Sequence, residues 1–237
     1  MNERLRSYEV EGDLTHLLNQ LGAVRDVADG ASERLRALAE AIIRWNDSIN
    51  LVSRKDIARL VSYHFCDSAS VIPLVRRWNG AEVLDVGGSN GLPGLVLAAL
   101  MPDVRVLVCD SKKRRLPFLE EVCGLDGREL PIVPNAGFEI ARIDAEEFQA
   151  KYRGFFDVVV ARAVTRMRLL AAWCMPLLKE TGGRLVAYKG SRSIEEVNQA
   201  ESSIFEHGGR MAAIVTSPWH QFCNPLRLFV ITERGQN

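Results

Sequence analysis

This chain of 237 residues has no surplus of charge, no paired cysteine motif and no long apolar run. Its 30 Lys and Arg balance its 30 Asp and Glu, so no global field draws it to nucleic acid or to a charged membrane. Any such contact has to come from a local patch. The five cysteines, Cys66, Cys109, Cys123, Cys174 and Cys223, show no C-x-x-C spacing. Several sit in apolar runs, which reads as buried free thiols in a reducing compartment and argues against a disulfide framework or a metal site. The first ten residues, M-N-E-R-L-R-S-Y-E-V, lack the apolar core of a signal peptide. No apolar stretch approaches the ~20 residues of a membrane span. Internal repeats, low-complexity tracts and Gly/Ser linkers are also missing. The expectation is a soluble cytoplasmic protein with no membrane partner, large enough to bury a substantial core.

The chain falls into two textures. Residues 1–80 read as a helical extension packed on the body. Ser32 is placed to cap a helix whose apolar positions Leu35, Leu38, Ile42 and Trp45 recur at helical spacing. Asp56 can open a second helix with Ile57, Leu60, Val61 and Phe65 as its stripe. Asn50 reads as a cap or turn. His64 and Asp67, three apart, read as a packing pair on one helical face. Residues 81–237 alternate strands and helices. Strands are predicted at 82–87, 104–110, 130–134, 155–160, 183–189, 211–216 and 226–232. Helices are predicted near 93–101, 114–124, 144–151, 167–179 and 193–206. Such alternation implies an α/β fold with a mostly parallel seven-stranded sheet covered on both faces. The last two strands, with no helix between them, suggest an antiparallel hairpin at one edge. Pro117 requires its helix to start late or kink.

The most informative segment runs from Val83 to Gly94, V-L-D-V-G-G-S-N-G-L-P-G. A strand leads into a glycine-rich turn and then a helix, an arrangement that holds a ligand against bare backbone. About 20 residues later a second strand ends at Asp110, where a nucleotide's ribose hydroxyls are usually held. A nicotinamide fingerprint read from Gly87 fails, because Ser89 and Leu92 occupy its second and third glycine positions. An S-adenosylmethionine site fits better, with Asp85 ahead of Gly87 and with Gly91 at the final position. Ser89 departs from the middle glycine. Two basic runs follow strand ends: Lys112, Lys113, Arg114 and Arg115 after the second, then Arg162, Arg166 and Arg168 after the fourth. Lys189 follows the fifth strand. These are candidates for phosphate contacts along one crevice.

Together with that turn, further motifs carry a family resemblance: W-N-D-S-I-N-L-V-S (45–53), H-F-C-D-S (64–68), C-D-S-K-K-R-R-L-P-F-L (109–119), F-D-V-V-V-A-R-A (156–163), W-C-M-P-L-L-K-E-T-G-G (173–183) and Lys189-Gly190. In this order they resemble the small-subunit ribosomal RNA guanine N-7 methyltransferases, the glucose-inhibited division protein B family. The resemblance implies a class I, Rossmann-like methyltransferase fold and methyl transfer from S-adenosylmethionine to nitrogen-7 of a guanine in 16S rRNA. It also implies cofactor contacts from Gly87, Gly91 and Leu92 of the turn, from Asp110 and from Arg162. An Arg-Ala/Val-Glu element that the family places near the adenine is matched here by Ala145-Glu146, with Asp144 in place of the arginine. The register Arg142-Ile143-Asp144 is the alternative. Nitrogen-7 carries no proton, so no catalytic base is expected. A monomer is expected. A non-catalytic RNA-binding relative and a methyltransferase retargeted to another substrate are the rival readings.

Overall fold

A computed structural model describes residues 13–19, 29–88, 90–124, 131–217 and 227–235. Residues 13–19 are helical (α1), and α2 spans Ala31–Ile49. A 3-10 turn over Ile57–Arg59 and a π turn over Leu60–Phe65 lead into α3, Cys66–Ala69, and α4, Ile72–Arg77. The body then alternates: β1 Glu82–Val86, α5 Gly94–Leu100, β2 Arg105–Asp110, α6 Leu116–Cys123, β3 Ala136–Ile140, α7 Glu146–Tyr152, β4 Val158–Arg162, α8 Met167–Cys174 and β5 Arg184–Gly190. Two short helices, α9 Ile194–Asn198 and α10 Glu201–Glu206, precede β6 Gly209–Thr216 and β7 Arg227–Arg234.

The seven strands form one sheet in the order β3-β2-β1-β4-β5-β7-β6. The first five are parallel, and β7 runs antiparallel to both β5 and β6. The expected class, the strand count and the antiparallel edge all hold. Alternate residues of each strand feed two apolar layers, as the two-residue period of a strand requires. Val83, Val106, Val108, Val158 and Val186 join α2, α5 and α6 on one face. Leu84, Val86, Val159, Leu185 and Val230 join α7, α8 and α10 on the other. The N-terminal helices share the first layer.

Several local expectations shift. Gly30, at φ 76°, occupies the cap of α2, and Ser32 lies inside its first turn. The ladder starts two residues early because the Arg34 N–H donates to the Gly30 carbonyl. The third strand lies at 136–140 and not at 130–134. Pro131 and Pro134 have no N–H to give a ladder, so the chain pairs only after Asn135, whose amide Nδ2 donates to the carbonyls of Ala98, Met101 and Val104. Pro117 is accommodated by a late start: Lys113–Arg115 form a 3-10 turn and the proline sits in the first turn of α6. The helix expected over 193–206 breaks into two. Asn50 does cap α2, at φ 46°. Cys66, Cys109, Cys123 and Cys174 are buried free thiols, while Cys223 lies outside the described residues.

Candidate active site

From β1 the chain crosses to β2 and β3 on one side of the sheet, then returns to β4 and β5 on the other. The strand order therefore reverses between β1 and β4, and open parallel sheets hold ligands beyond the C-terminal ends of their strands at such a point. The glycine turn lies there. Asp85, fully buried, accepts the Gly94 N–H through Oδ2 at 2.7 Å, fastening the far end of the turn to the strand. A Cβ on Gly94 would fall 2.8 Å from that oxygen. Burial pushes the Asp85 carboxyl up to about 7, against the opposing pull of the Gly94 bond and of Arg162. Its Oδ1 is buried with no partner among the described residues. Gly87 has φ 68°, and a Cβ there would strike Val164 in the loop after β4. The two loops thus close on each other only because position 87 has no side chain. Ser89 lies outside the described residues.

A cleft of about 520 Å³ opens between these loops. Gly87, Asp110, Arg142, Ile143, Asp144, Val164 and Trp173 are among its walls. Asp110 ends β2 and accepts the Lys112 N–H through Oδ1 at 2.7 Å. Gln149 holds the far wall in place, donating to the carbonyls of Ile143 at 2.7 Å and Trp173 at 2.9 Å. Four of the expected cofactor-binding residues stand apart from this lining. Ala145 and Glu146 are not among the lining residues; Ala145 caps α7 and Glu146 starts it. The preceding turn, Arg142-Ile143-Asp144, faces the cleft instead, so the alternative register is the one the geometry favours. Gly91 and Leu92 also lie past the cleft, and the Leu92 side chain is packed in the core beside α5.

A second recess of about 280 Å³ shares Val164 and Thr165 with the cleft and extends to Tyr188, Lys189 and Arg227. Behind it lies a buried charge cluster. Asp67, 1% exposed, receives two bonds from Arg227 (Nε 2.7 Å, Nη2 2.8 Å) and one from Arg162 at 3.2 Å. The Tyr188 hydroxyl donates to the Ser68 carbonyl at 2.9 Å. Residues 64–68 are in this way bound to the ends of β4, β5 and β7. His64 is not the partner of Asp67; its Nε2 stands 3.7 Å from Asp56. Burial, aided by Arg162, lowers its pKa, which keeps the ring neutral near pH 7. Arg162 is held by Asp67 and the His64 carbonyl and is not among the residues lining the cleft.

The basic residues divide by environment. Lys112, Lys113, Arg114 and Arg166 are exposed, as a phosphate contact requires. Arg115 is not: 3% exposed, it donates to the carbonyls of Ile49 at 2.5 Å and Asn50 at 3.1 Å. Lys189 is likewise committed, to the Thr165 carbonyl and to Glu196, each at 2.9 Å. Neither presents a free cation as those four do. Arg227 is the residue that sequence reasoning missed. It sits alone at the head of the last strand, and no local pattern marks it.

Comparison with known proteins agrees with this fold. The family model described as rRNA small subunit methyltransferase G matches residues 31–221. Curated relatives carrying the name ribosomal RNA small subunit methyltransferase G include one from Desulfitobacterium hafniense, 34% identical over 77% of this chain and 72% of its own length. Another, from an Exiguobacterium species, is 36% identical over 78% of this chain and 74% of its own. In fold the chain is similar to a TehB-like SAM-dependent methyltransferase from Corynebacterium glutamicum, with TM-score 0.54 and 16% identity over 84% of this chain and 99% of that one. A putative sarcosine dimethylglycine methyltransferase from Galdieria sulphuraria gives 0.56 and 10% over the same shares.

Proposed function

This chain belongs to the rRNA small subunit methyltransferase G family, and we propose that it transfers a methyl group from S-adenosylmethionine to nitrogen-7 of a guanine in small-subunit rRNA. The observation that carries this reading is the pairing of a nucleoside-sized cleft at the β1/β4 reversal with an adjoining recess that shares its wall. The cleft suits the cofactor. Its volume lies in the range of small-molecule sites. Gly87 offers bare backbone, Asp110 offers a carboxylate for ribose hydroxyls, and Ile143, Val164 and Trp173 offer apolar surface for a purine. When bound, S-adenosylmethionine supplies an activated methyl group on a sulfonium.

The residues of the chain position the acceptor and set its electrostatics. Val164 and Thr165 separate the cleft from the recess, and Ala163 beside them is held at φ 56°. That conformation costs a non-glycine residue roughly 1–2 kcal/mol, a strain of the kind that gathers at functional loops. A guanine unstacked from its RNA enters the recess, with Arg227 and Tyr188 as its deep wall. Nitrogen-7 carries no proton, so no side chain has to remove one, and in-line positioning provides most of the acceleration. Methylation leaves positive charge on the purine. Asp67 and Glu196 offset Arg227, Arg162 and Lys189, so the recess does not meet that charge with bare cations.

Lys112, Lys113, Arg114 and Arg166 hold the RNA backbone across the mouth. Among the described residues no helix is long and apolar enough to cross a membrane, and the reading carries with it a cytoplasmic monomer. The test is transfer of labelled methyl groups to small subunits lacking the modification. Label in the rRNA supports the assignment, and label in ribosomal protein alone contradicts it.

A further inference from the structure

We propose that the N-terminal extension is itself part of the RNA-binding rim, with Arg54 and Lys55 contacting phosphates between the two basic clusters already described. This inference rests on the rRNA methyltransferase reading. It follows from how residues 49–67 are fastened. At one end the carbonyls of Ile49 and Asn50 accept from Arg115, which directly follows Lys112, Lys113 and Arg114. At the other end the His64 carbonyl and the Asp67 carboxylate accept from Arg162, and Asp67 also from Arg227. The intervening segment therefore spans from the turn after β2 to the end of β4, along the C-terminal edge of the sheet where the cleft opens.

The segment is also shaped. The Val52 N–H donates to Asn46 Oδ1 at 2.8 Å. Asp56 accepts from the Ser53 hydroxyl at 2.7 Å and from Arg59 Nε at 2.8 Å. Asp56 is the one acid between Asn50 and His64, and these bonds occupy it. Arg54 and Lys55 are exposed, and neither forms an ion pair among the described residues, as is also true of Lys112, Lys113, Arg114 and Arg166. At the opposite edge of the sheet Arg76, Arg105, Lys179 and Arg210 pair with Asp103, Glu82, Asp157 and Glu233. A chain with no net charge thus keeps a run of unneutralised cations on the rim that faces its substrate. Buried Arg115, which binds no RNA itself, aligns two of the three segments that do.

The test compares R54E/K55E with the wild type on undermethylated small subunits. As a control, R77E/R153E makes the same charge change at exposed positions on the opposite edge. For R54E/K55E the KM for subunits is expected to rise at least tenfold. The affinity for S-adenosylmethionine, measured by calorimetry, should stay within twofold. The salt dependence of subunit binding should fall by roughly one to two in log–log slope, at about 0.7–0.9 per lost phosphate contact. The control should keep the wild-type KM. R54A/K55A, which adds no repulsion, should show a smaller rise in the same direction and covers the case in which R54E/K55E folds poorly. An unchanged KM in R54A/K55A or R54E/K55E, or an equal rise in the control, would overturn the inference while leaving the enzyme reading intact. A wild type that transfers no methyl group to the subunit would overturn both.

Discussion

Asp85 and Asp110 end neighbouring strands, yet their environments give them different work. Asp85 has no exposed surface and one bond to the turn, so it acts on the backbone of the loop and not on solvent. Its carboxyl is raised to about 7 by burial, against about 4 in an unfolded chain. The folded state therefore holds a proton that the unfolded state has released between those values, and stability falls as pH rises through that window. Above about 7 the contribution is flat. In Asp85→Asn this loss is absent, so the melting temperature of the variant should gain on the wild type between pH 5 and pH 8. A difference that does not change with pH would contradict the assignment. Asp110 lines the cleft, and Asp110→Ala should weaken S-adenosylmethionine binding at least tenfold, the order expected for a charge-assisted hydrogen bond of about 1.5–3 kcal/mol. Calorimetry checks this, with a melting curve to show that the fold is kept. Asp110 was legible in the sequence because its distance from the glycine turn reflects strand and helix lengths. The turn that faces the cleft ahead of α7 was not. Arg142-Ile143-Asp144 and Ala145-Glu146 are adjacent, and only the start of α7 at Glu146 decides which of them faces the cleft.

Elements that the sequence marked by periodicity came out in place, and those set by distant partners did not. The apolar runs of β1, β2, β4 and β5 place each strand within a few residues of its observed position, since burial on both faces leaves little else for them to be. The third strand was displaced because Pro131 and Pro134 flank the more apolar stretch and deny it a ladder. The 49–67 segment is set by long-range bonds to Arg115, Arg162 and Arg227, which no local pattern reveals. Two variants test how firmly it is held. Arg115→Ala removes two hydrogen bonds to the end of α2 and should cost about 1–3 kcal/mol. Asp67→Ala leaves two guanidinium groups without their shared carboxylate and should cost about 3–5 kcal/mol. Denaturant titration measures both. A loss under 1 kcal/mol for Asp67→Ala would mean that the cluster relaxes into solvent and does not anchor the extension.

For the whole molecule the balance of charge misleads unless its distribution is known. Zero net charge argues against indiscriminate RNA binding, and the structure reconciles that with an RNA substrate by leaving Arg54, Lys55, Lys112, Lys113, Arg114 and Arg166 exposed and outside any ion pair among the described residues, clustered on the cleft side. The subunit affinity should accordingly fall steeply with salt although the net charge is zero. The central claim, methyl transfer to nitrogen-7 of guanine, is tested most directly at the product. Small subunits lacking the modification are incubated with the protein and S-adenosylmethionine, and the rRNA is digested to nucleosides for mass spectrometry. The account predicts 7-methylguanosine as the new nucleoside, formed in proportion to subunits and lost in Asp110→Ala at limiting cofactor. A methyl group on any other atom, or rRNA left unmodified by a protein that binds the cofactor, would contradict it.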